Sequence, residues 1–136
     1  MPTMSLVDIE NAVRRSWSVE TCDPADVSGW TPGNPAWGQC GATALVLNDL
    51  LGGELLTAEV HHADGSPQGH HNWNRLLGGV EVDLTREQFR AGEVIAAPRV
   101  IHRPNRRPGR AVEQYLALSE RVGAELGREP PDPDAG

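Results

Sequence analysis

The sequence predicts an α+β fold in which a buried helix packs on a small antiparallel sheet. The helix is expected over 39–51, because helix-forming apolar residues cover nearly all of its sides and two glycines follow it. Strands are expected where strand-favouring residues lie between turn signals, over 54–61, 71–77 and 80–84. The last two strands meet at a pair of glycines, which is typical of a hairpin and therefore of antiparallel pairing.

Two further segments precede the predicted buried helix. Apolar residues spaced three and four apart predict an amphipathic helix over 5–17, with Ser5 as its N-cap. The stripe consists of Leu6, Ile9, Val13 and Trp17. Residues 18–38 are rich in glycine and proline and are expected to form a loop, and loops of this length are more often functional than merely connecting.

The segments after the hairpin are expected to add a short helix, an edge strand and a C-terminal helix. Thr85 and Gln88 have the spacing of a capping box, which predicts a short helix beginning there. Residues 93–101 resemble a weaker strand, placed at an edge because a proline interrupts it. A helix is predicted over 109–127, and the acidic, proline-rich residues 128–136 are expected to be a disordered tail.

Composition limits the classes of function. The length of 136 residues and the 38% share of apolar residues are typical of one globular domain, which we place over 1–127. The net charge of −7 is unfavourable for binding nucleic acid or an anionic membrane surface. The arginine-rich segment 99–110 is interpreted as a solvated loop, with an edge that binds an anion or an acidic partner as the alternative.

The sequence shows no recognisable targeting signal, and this predicts a cytoplasmic location. No apolar run is long enough to cross a membrane, and the N-terminal residues lack the basic and apolar regions of a signal peptide. The protein is therefore expected in the cytoplasm with reduced thiols, and in that setting a cysteine with a histidine elsewhere is a candidate nucleophile.

Cys40 is the better placed of the two cysteines, because it lies in the first turn of the predicted buried helix. The unpaired N–H groups and the positive end of the helix dipole favour a thiolate at that position. The same N–H groups can stabilise the oxyanion that forms when a thiolate attacks a carbonyl. A small apolar cysteine packed in the core is the alternative interpretation.

A base and an orienting acid are available in the hairpin. His71 begins its first strand and Asp83 lies in its second. A two-residue turn would put them on opposite faces of the sheet, whereas a three-residue loop over 77–79 puts them on the same face. We favour the three-residue loop because it sets Arg75 opposite Glu81, where the two would form an ion pair, and leaves a consistent apolar face. That face consists of Val80, Val82 and Leu84.

These residues resemble the transglutaminase-like (papain-like) core. The motifs are Gly38-Gln39-Cys40 opening a helix, His71-x-Trp73-Asn74 opening a strand, and Asp83-Leu84-Thr85 ending the next strand. In that superfamily the same order supplies a cysteine nucleophile, a histidine base and an aspartate that orients the histidine. The resemblance implies these roles for Cys40, His71 and Asp83.

The sequence is more similar still to the small bacterial YunG family. The similarity covers about residues 13–90, and its motifs lie at Asn34 to Cys40, Leu47 to Glu54, His71 to Leu76 and Glu81 to Phe89. Membership of this family implies the same fold and the same three residues. It implies no substrate.

Several neighbours of the three residues are candidates for the oxyanion or substrate site. Gln39 is either a donor to the oxyanion or a polar residue at the helix N-terminus. Trp37 and Trp73 either wall an acyl pocket or pack beside it, and we favour packing. Asn74 is expected to satisfy the backbone. Because tryptophan is the commonest aromatic in the chain, at least two of Trp30, Trp37 and Trp73 are expected near Cys40 and His71.

No metal or other cofactor is expected. Zinc motifs are absent from the sequence, and the adjacent His70 and His71 point to opposite faces of a strand. Cys22 is interpreted as incidental. Its alternative, a resolving thiol for Cys40 in a redox protein, lacks the usual Cys-x-x-Cys spacing.

The leading hypothesis is a small cysteine-nucleophile enzyme. Through a thioester it would hydrolyse or transfer the acyl group of an amide or ester, on a small molecule or peptide. The alternative is a non-catalytic binding module on a transglutaminase-like scaffold. Hydrolysis and transfer use the same residues, so the sequence leaves that choice open.

Overall fold

The computed structural model describes residues 5–89, 91–102 and 112–127, and these residues form an α+β fold. The α-helices are α1 (Leu6–Ser16), α2 (Cys40–Leu51) and α3 (Val112–Glu125). The strands are β1 (Glu54–His61), β2 (Pro67–Arg75), β3 (Glu81–Val82), β4 (Val94–Ile95) and β5 (Arg99–Ile101). The predicted tail, 128–136, and most of the arginine-rich segment 99–110 lie outside the described residues. No helix in the described ranges is long and apolar enough to span a membrane.

The first helix begins and ends as its sequence predicts. The Ser5 hydroxyl accepts the Asp8 backbone N–H while the Asp8 carboxylate accepts that of Ser5, a reciprocal capping box. Its apolar stripe packs into the core through Ile9 and Val13. The loop that follows contains two short 3₁₀-helices, Val19–Thr21 and Pro24–Gly29, which the sequence pattern did not predict.

Helix α2 carries Cys40 as its first residue. Its predicted range, 39–51, is confirmed to within one residue. The helix ends at Gly52, whose φ of 72° is easily adopted only by glycine and whose N–H donates to the Asn48 carbonyl. One face is buried against the rest of the fold through Ala42, Thr43, Ala44, Val46 and Leu47.

The sheet is antiparallel and is organised around β1. One edge of β1 pairs with all of β2, and the other pairs first with β5 and then with β4. The predicted edge strand over 93–101 is thus two short strands on either side of Pro98. Proline has no N–H to hydrogen-bond a neighbouring strand, so Pro98 itself explains the interruption. Strand β2 starts at Pro67, earlier than predicted, and a bulge at Val60 and His61 accommodates that extension.

The hairpin between β2 and β3 has the three-residue loop that the sequence favoured. Arg75 lies opposite Glu81, and the Leu76 N–H donates to the Val80 carbonyl at 2.7 Å. The predicted ion pair between Arg75 and Glu81 is wrong. Arg75 contacts the Glu54 carboxylate on β1 instead, and the Trp73 indole donates to Glu81. Of the predicted apolar face, Val82 and Leu84 are buried and Val80 is exposed.

Apolar residues pack on both faces of the sheet. The larger cluster joins the three α-helices to Val82 and Leu84. The smaller cluster, on the opposite face of β1 and β2, contains Leu56, Ala58 and Trp73. Since alternate residues of a strand share a face, His71 lies on the same face as Trp73, and its ring stacks on the indole at a centroid distance of 5.4 Å.

The predicted capping box at Thr85 and Gln88 is wrong. A single 3₁₀ turn, Arg86–Gln88, follows Thr85, and no side-chain hydrogen bond caps it. The Gln88 side chain is 7% exposed and reaches back to the sheet. Its amide nitrogen donates to the Thr85 hydroxyl at 3.4 Å, and its contacts with Gly38 and His71 make it part of the site described next.

Candidate active site

The candidate site forms where the N-terminus of α2 meets the middle of β2. Cys40 is partly exposed there, at the end of the helix whose first N–H groups lack intrahelical acceptors. Gln39, which precedes it, has αR backbone angles and makes no side-chain cap. The first turn of α2 is therefore available to hydrogen-bond a group other than its own cap.

His71 and Asp83 form a hydrogen-bonded pair. The imidazole Nε2 lies 2.7 Å from the Asp83 carboxylate, and because a carboxylate only accepts, Nε2 carries the proton. The pair depends on the hairpin register, which puts both residues on one face of the sheet. With Nε2 held by Asp83, the other ring nitrogen, Nδ1, lies 3.1 Å from the Gln88 amide nitrogen, and Cys40 is near enough to the ring to influence its protonation.

Opposing influences act on the protonation of His71. Burial by itself lowers the pKa, because a desolvated imidazolium is unfavourable. Hydrogen bonds with Asp83 and with Cys40, together with the negative charges of these groups, outweigh burial and raise the pKa of His71 from 6.5 to about 9. The surroundings thus favour the imidazolium form of His71.

The imidazole is also fixed by rings. Trp73 stacks on it with an interplanar angle of 20°, and Phe89 packs edge-on at a centroid distance of 4.6 Å. The side chain of His71 has no exposed surface. Rotation of the ring away from Asp83 would break these packed contacts, so the fold holds one orientation of the imidazole.

Two polar residues that the sequence did not single out as site residues complete the surroundings. The Asn72 amide lies 3.9 Å from the Cys40 sulfur and is positioned to donate to it. The Gln88 amide nitrogen lies 3.1 Å from His71 Nδ1. Two sequence features could have identified these residues. Asn72 directly follows His71, and Gln88 has capping-box spacing from Thr85.

The other predicted site residues are placed differently. Gln39 is fully buried, donating its amide to the Ser18 carbonyl at 2.9 Å and accepting the Thr21 hydroxyl at 2.6 Å. Asn74 donates to the Ala44 carbonyl of α2 at 2.9 Å, which is the backbone role expected of it. Its Oδ1 is buried and is the one described side-chain atom of that kind without a partner.

The tryptophans separate into two groups. Trp73 contacts His71, as described above. The indole of Trp37 donates to the Asp26 carbonyl at 3.0 Å and that of Trp30 to the Pro35 carbonyl at 3.1 Å. Both bonds lie within the 18–38 loop, so these two rings brace the segment that leads to Cys40.

Cys22 lies beneath that loop. Its side chain has no exposed surface, and its sulfur donates to the carbonyls of Trp37 at 3.4 Å and Asp23 at 3.5 Å. Burial, and then the charges of Asp26 and Asp23, raise the pKa of the Cys22 thiol to about 12. A protonated, buried thiol is a poor resolving partner, and both cysteines are free.

Metal binding has no geometric support in the described ranges, where no three histidine, cysteine or acidic side chains are grouped to hold an ion. His61 lies 3.6 Å from Glu59, and His62 lies 3.6 Å from Glu93. These are separate pairs and do not converge on one point.

Comparison with known proteins identifies the family. The YunG protein family matches residues 5–127. Over 83 residues the chain is 35% identical to the uncharacterized protein YunG of Bacillus subtilis (strain 168), covering 61% of this chain and 62% of that protein. The matched region is thus less than two-thirds of the relative's length. No solved structure matches the chain. Because the family match includes every described residue, the chain belongs to the YunG family.

Proposed function

We propose that this protein is a small cysteine-nucleophile enzyme on a transglutaminase-like core. It would hydrolyse or transfer the acyl group of an amide or ester through a thioester on Cys40. The observation that supports this most directly is His71, which hydrogen-bonds Asp83 at 2.7 Å and lies close enough to Cys40 for that group to raise the pKa of the imidazole. A nucleophile next to a base, with the base oriented by a third group, is the general arrangement of covalent acyl-transfer sites.

The proposed reaction begins when the Cys40 thiol gives its proton to Nδ1 of His71. The sulfur then forms a bond to the carbonyl carbon of the substrate, and the carbonyl π electrons move to oxygen. Backbone N–H groups in the first turn of α2 and the Asn72 amide are the available donors to that oxyanion. Asp83 stabilises the imidazolium through Nε2 for as long as it carries the extra proton.

Collapse of the tetrahedral intermediate breaks the bond to the leaving amine or alcohol, which takes the proton from His71. The product is a thioester on Cys40. Water or an amine then attacks the thioester carbon and loses its proton to His71, and the proton returns to the sulfur as the thioester bond breaks. Atoms and charge balance with no group beyond the substrate and the acceptor.

The transglutaminase-like core and the cytoplasmic location are parts of the same proposal. Its support is the order of the elements, in which cysteine opens a helix, histidine follows on β2, and aspartate follows β3. A small molecule or peptide remains the proposed substrate. A cytoplasmic setting would keep both thiols reduced, as they are in the structure.

Acylation by p-nitrophenyl acetate tests the proposal. Wild-type protein is expected to acquire one acetyl group, mapped to Cys40 by mass spectrometry, and then to release it over repeated turnovers. Cys40→Ser should remove the reaction, and Asp83→Asn should slow it at least about tenfold at pH 7 because the imidazolium loses its carboxylate.

Two variants serve as controls for that experiment. Cys22→Ser removes the buried thiol, and Asp64→Asn removes an exposed carboxylate on the loop after β1. Both should react like wild type, and circular dichroism should verify that Asp83→Asn is folded. Acetylation of Cys40 no faster than that of free cysteine would overturn the proposal and favour the binding-module alternative.

A further inference from the structure

We propose that Gln88 is a positioning residue that donates a hydrogen bond to Nδ1 of His71 and thereby sets the balance between neutral and charged forms of the Cys40–His71 pair. The inference deepens the proposed function. It rests on that function only for its catalytic consequence, since the hydrogen bond itself can be tested without a substrate.

The orientation of the Gln88 amide follows from its other partner. The backbone N–H of Gly38 lies 3.2 Å from Oε1 of Gln88, and a backbone N–H can only donate. The amide oxygen must therefore face Gly38. This leaves Nε2, which carries the two amide protons, facing Nδ1 of His71 at 3.1 Å.

Gly38 is itself held in place. Its φ of 71° lies in the left-handed region, and its carbonyl accepts the Asp23 N–H at 2.9 Å. A Cβ at this position would come within 2.5 Å of the Cys22 sulfur. The backbone is thus clamped two residues before Cys40, and through Gln88 that clamp reaches the imidazole.

The hydrogen bond from Gln88 opposes protonation of His71. A donor at Nδ1 stabilises the lone pair of the neutral ring, whereas an imidazolium would place two donors face to face. The titratable groups that contact the ring, Asp83 and Cys40, act in the opposite direction. On neighbouring surfaces, Glu81 accepts from the Trp73 indole, and Glu87 is paired with Arg14.

The consequence for catalysis is a smaller excess of the imidazolium than Asp83 and Cys40 alone would produce. With Nε2 held by Asp83 and Nδ1 accepting from Gln88, the lone pair of the neutral ring lies on Nδ1, and that nitrogen takes the Cys40 proton when the hydrogen bond from Gln88 gives way. Gln88 touches neither the substrate nor the Cys40 sulfur in this scheme, and it acts through His71.

Replacing the donor by an acceptor of the same shape tests this. In Gln88→Glu one carboxylate oxygen can still accept from Gly38, while the other faces Nδ1 and favours the imidazolium. The ratio of charged to neutral His71 at a fixed pH, measured by ¹⁵N NMR titration of the ring, should rise about tenfold or more. Gln88→Met, which removes the donor without adding charge, should raise it by about fivefold.

Reactivity provides a second readout that a purely structural residue would not change. Alkylation of Cys40 by iodoacetamide at pH 6 should be faster in Gln88→Glu than in wild type, because a stabilised imidazolium favours the thiolate. Gln114→Glu on α3 is the matched control for the added charge and should leave both the titration and the rate unchanged.

An unchanged or lowered titration midpoint of His71 in both Gln88 variants would overturn the inference. Failure of this inference can be distinguished from failure of the proposed function. If the midpoint rises as expected while no variant forms a thioester, the positioning role stands and the enzymatic proposal fails. If wild type forms the thioester and the midpoint does not move, the enzyme proposal stands without Gln88.

Discussion

Cys22 and Cys40 carry the same thiol, but the fold surrounds them differently. Cys22 is fully buried beneath the 18–38 loop, and its sulfur faces two backbone carbonyls and nearby carboxylates. Cys40 is partly exposed at a helix N-terminus, with the Asn72 amide and the His71 imidazole beside it. Acceptors and negative charge stabilise a thiol, whereas donors and positive charge stabilise a thiolate.

The difference shows how one residue type acquires two roles within a small fold. Cys22 fills the space that Gly38 leaves, and so supports the backbone that leads to Cys40. Cys40 faces the groups that can activate it. The two regions are therefore linked, since the loop that buries one cysteine presents the other.

The largest expected effect is the difference in alkylation rate between the two cysteines. A thiol with a pKa of about 12 is only about 10⁻⁵ ionised at pH 7, compared with a few per cent for an ordinary cysteine. We expect iodoacetamide to modify Cys40 at least about a thousandfold faster than Cys22, as measured by peptide mapping over time. Cys40→Ser should lose the fast reaction, and Cys22→Ser should keep it. Equal rates at the two positions would contradict the comparison.

Gly38→Ala should destabilise the fold by about 3 kcal/mol, measured by urea unfolding. The added Cβ would lie 2.5 Å from the Cys22 sulfur, at a φ of 71° that strains alanine. In a Cys22→Ala background part of this cost should disappear, because the contact with the sulfur is removed while the backbone strain and a 2.9 Å contact with the Asp26 Cβ remain. Gly123→Ala on α3, where a Cβ meets nothing within 4 Å, is the control and should not destabilise. Equal costs with and without the Cys22 sulfur would show that the two residues are not coupled.

Stability should decrease as pH rises from about 6.5 to about 9. The pKa of His71 is raised in the folded state, so its stabilising contribution is complete below 6.5 and is lost as pH passes through about 9. We expect a loss of about 2 kcal/mol across this interval, and His71→Gln should flatten the profile. The raised pKa of Cys22 acts in a separate interval, from its ordinary value of 9.0 upward, where loss of its proton disfavours the fold. A wild-type profile that is flat between pH 6.5 and 9 would contradict the assignment.

The smallest expected effect is that of Asn72→Ala. Loss of one N–H donor next to the Cys40 sulfur should slow alkylation at pH 7 about fivefold, because a thiolate there loses about 1 kcal/mol of stabilisation. Asn11→Ala on the exposed side of α1 is the matched control. An unchanged rate in Asn72→Ala would show that this amide does not contribute to the reactivity of Cys40.

Features governed by neighbouring residues could be predicted from the sequence. The capping box of α1, the limits of α2 and β1, and the register of the hairpin all follow from short spacings and turn residues. The register alone placed His71 and Asp83 on one face, and the structure has them hydrogen-bonded. Backbone preferences of this kind are decided within a few residues, so they survive folding unchanged.

Features governed by competition among distant polar groups could not be predicted. Arg75 was expected to pair with Glu81, but Glu54 reaches it from β1 and the Trp73 indole takes Glu81. Gln88 was expected to cap its own turn, and instead it joins Gly38 to His71 across the fold. In each case several partners were compatible with the residue, and the packed chain determined which came within reach.

The sequence by itself determined the order of the α-helices and main strands, which cysteine opens a helix, and which histidine and aspartate share a face of the sheet. Only the tertiary structure decided that Cys22 is buried against Gly38, that Asn72 reaches Cys40, and that Gln88 holds the second nitrogen of His71. The physical reason is the separation along the chain of the groups that interact. Backbone conformation and hydrophobic periodicity depend on neighbours along the chain, whereas a hydrogen bond between side chains depends on atoms that meet only when the elements pack.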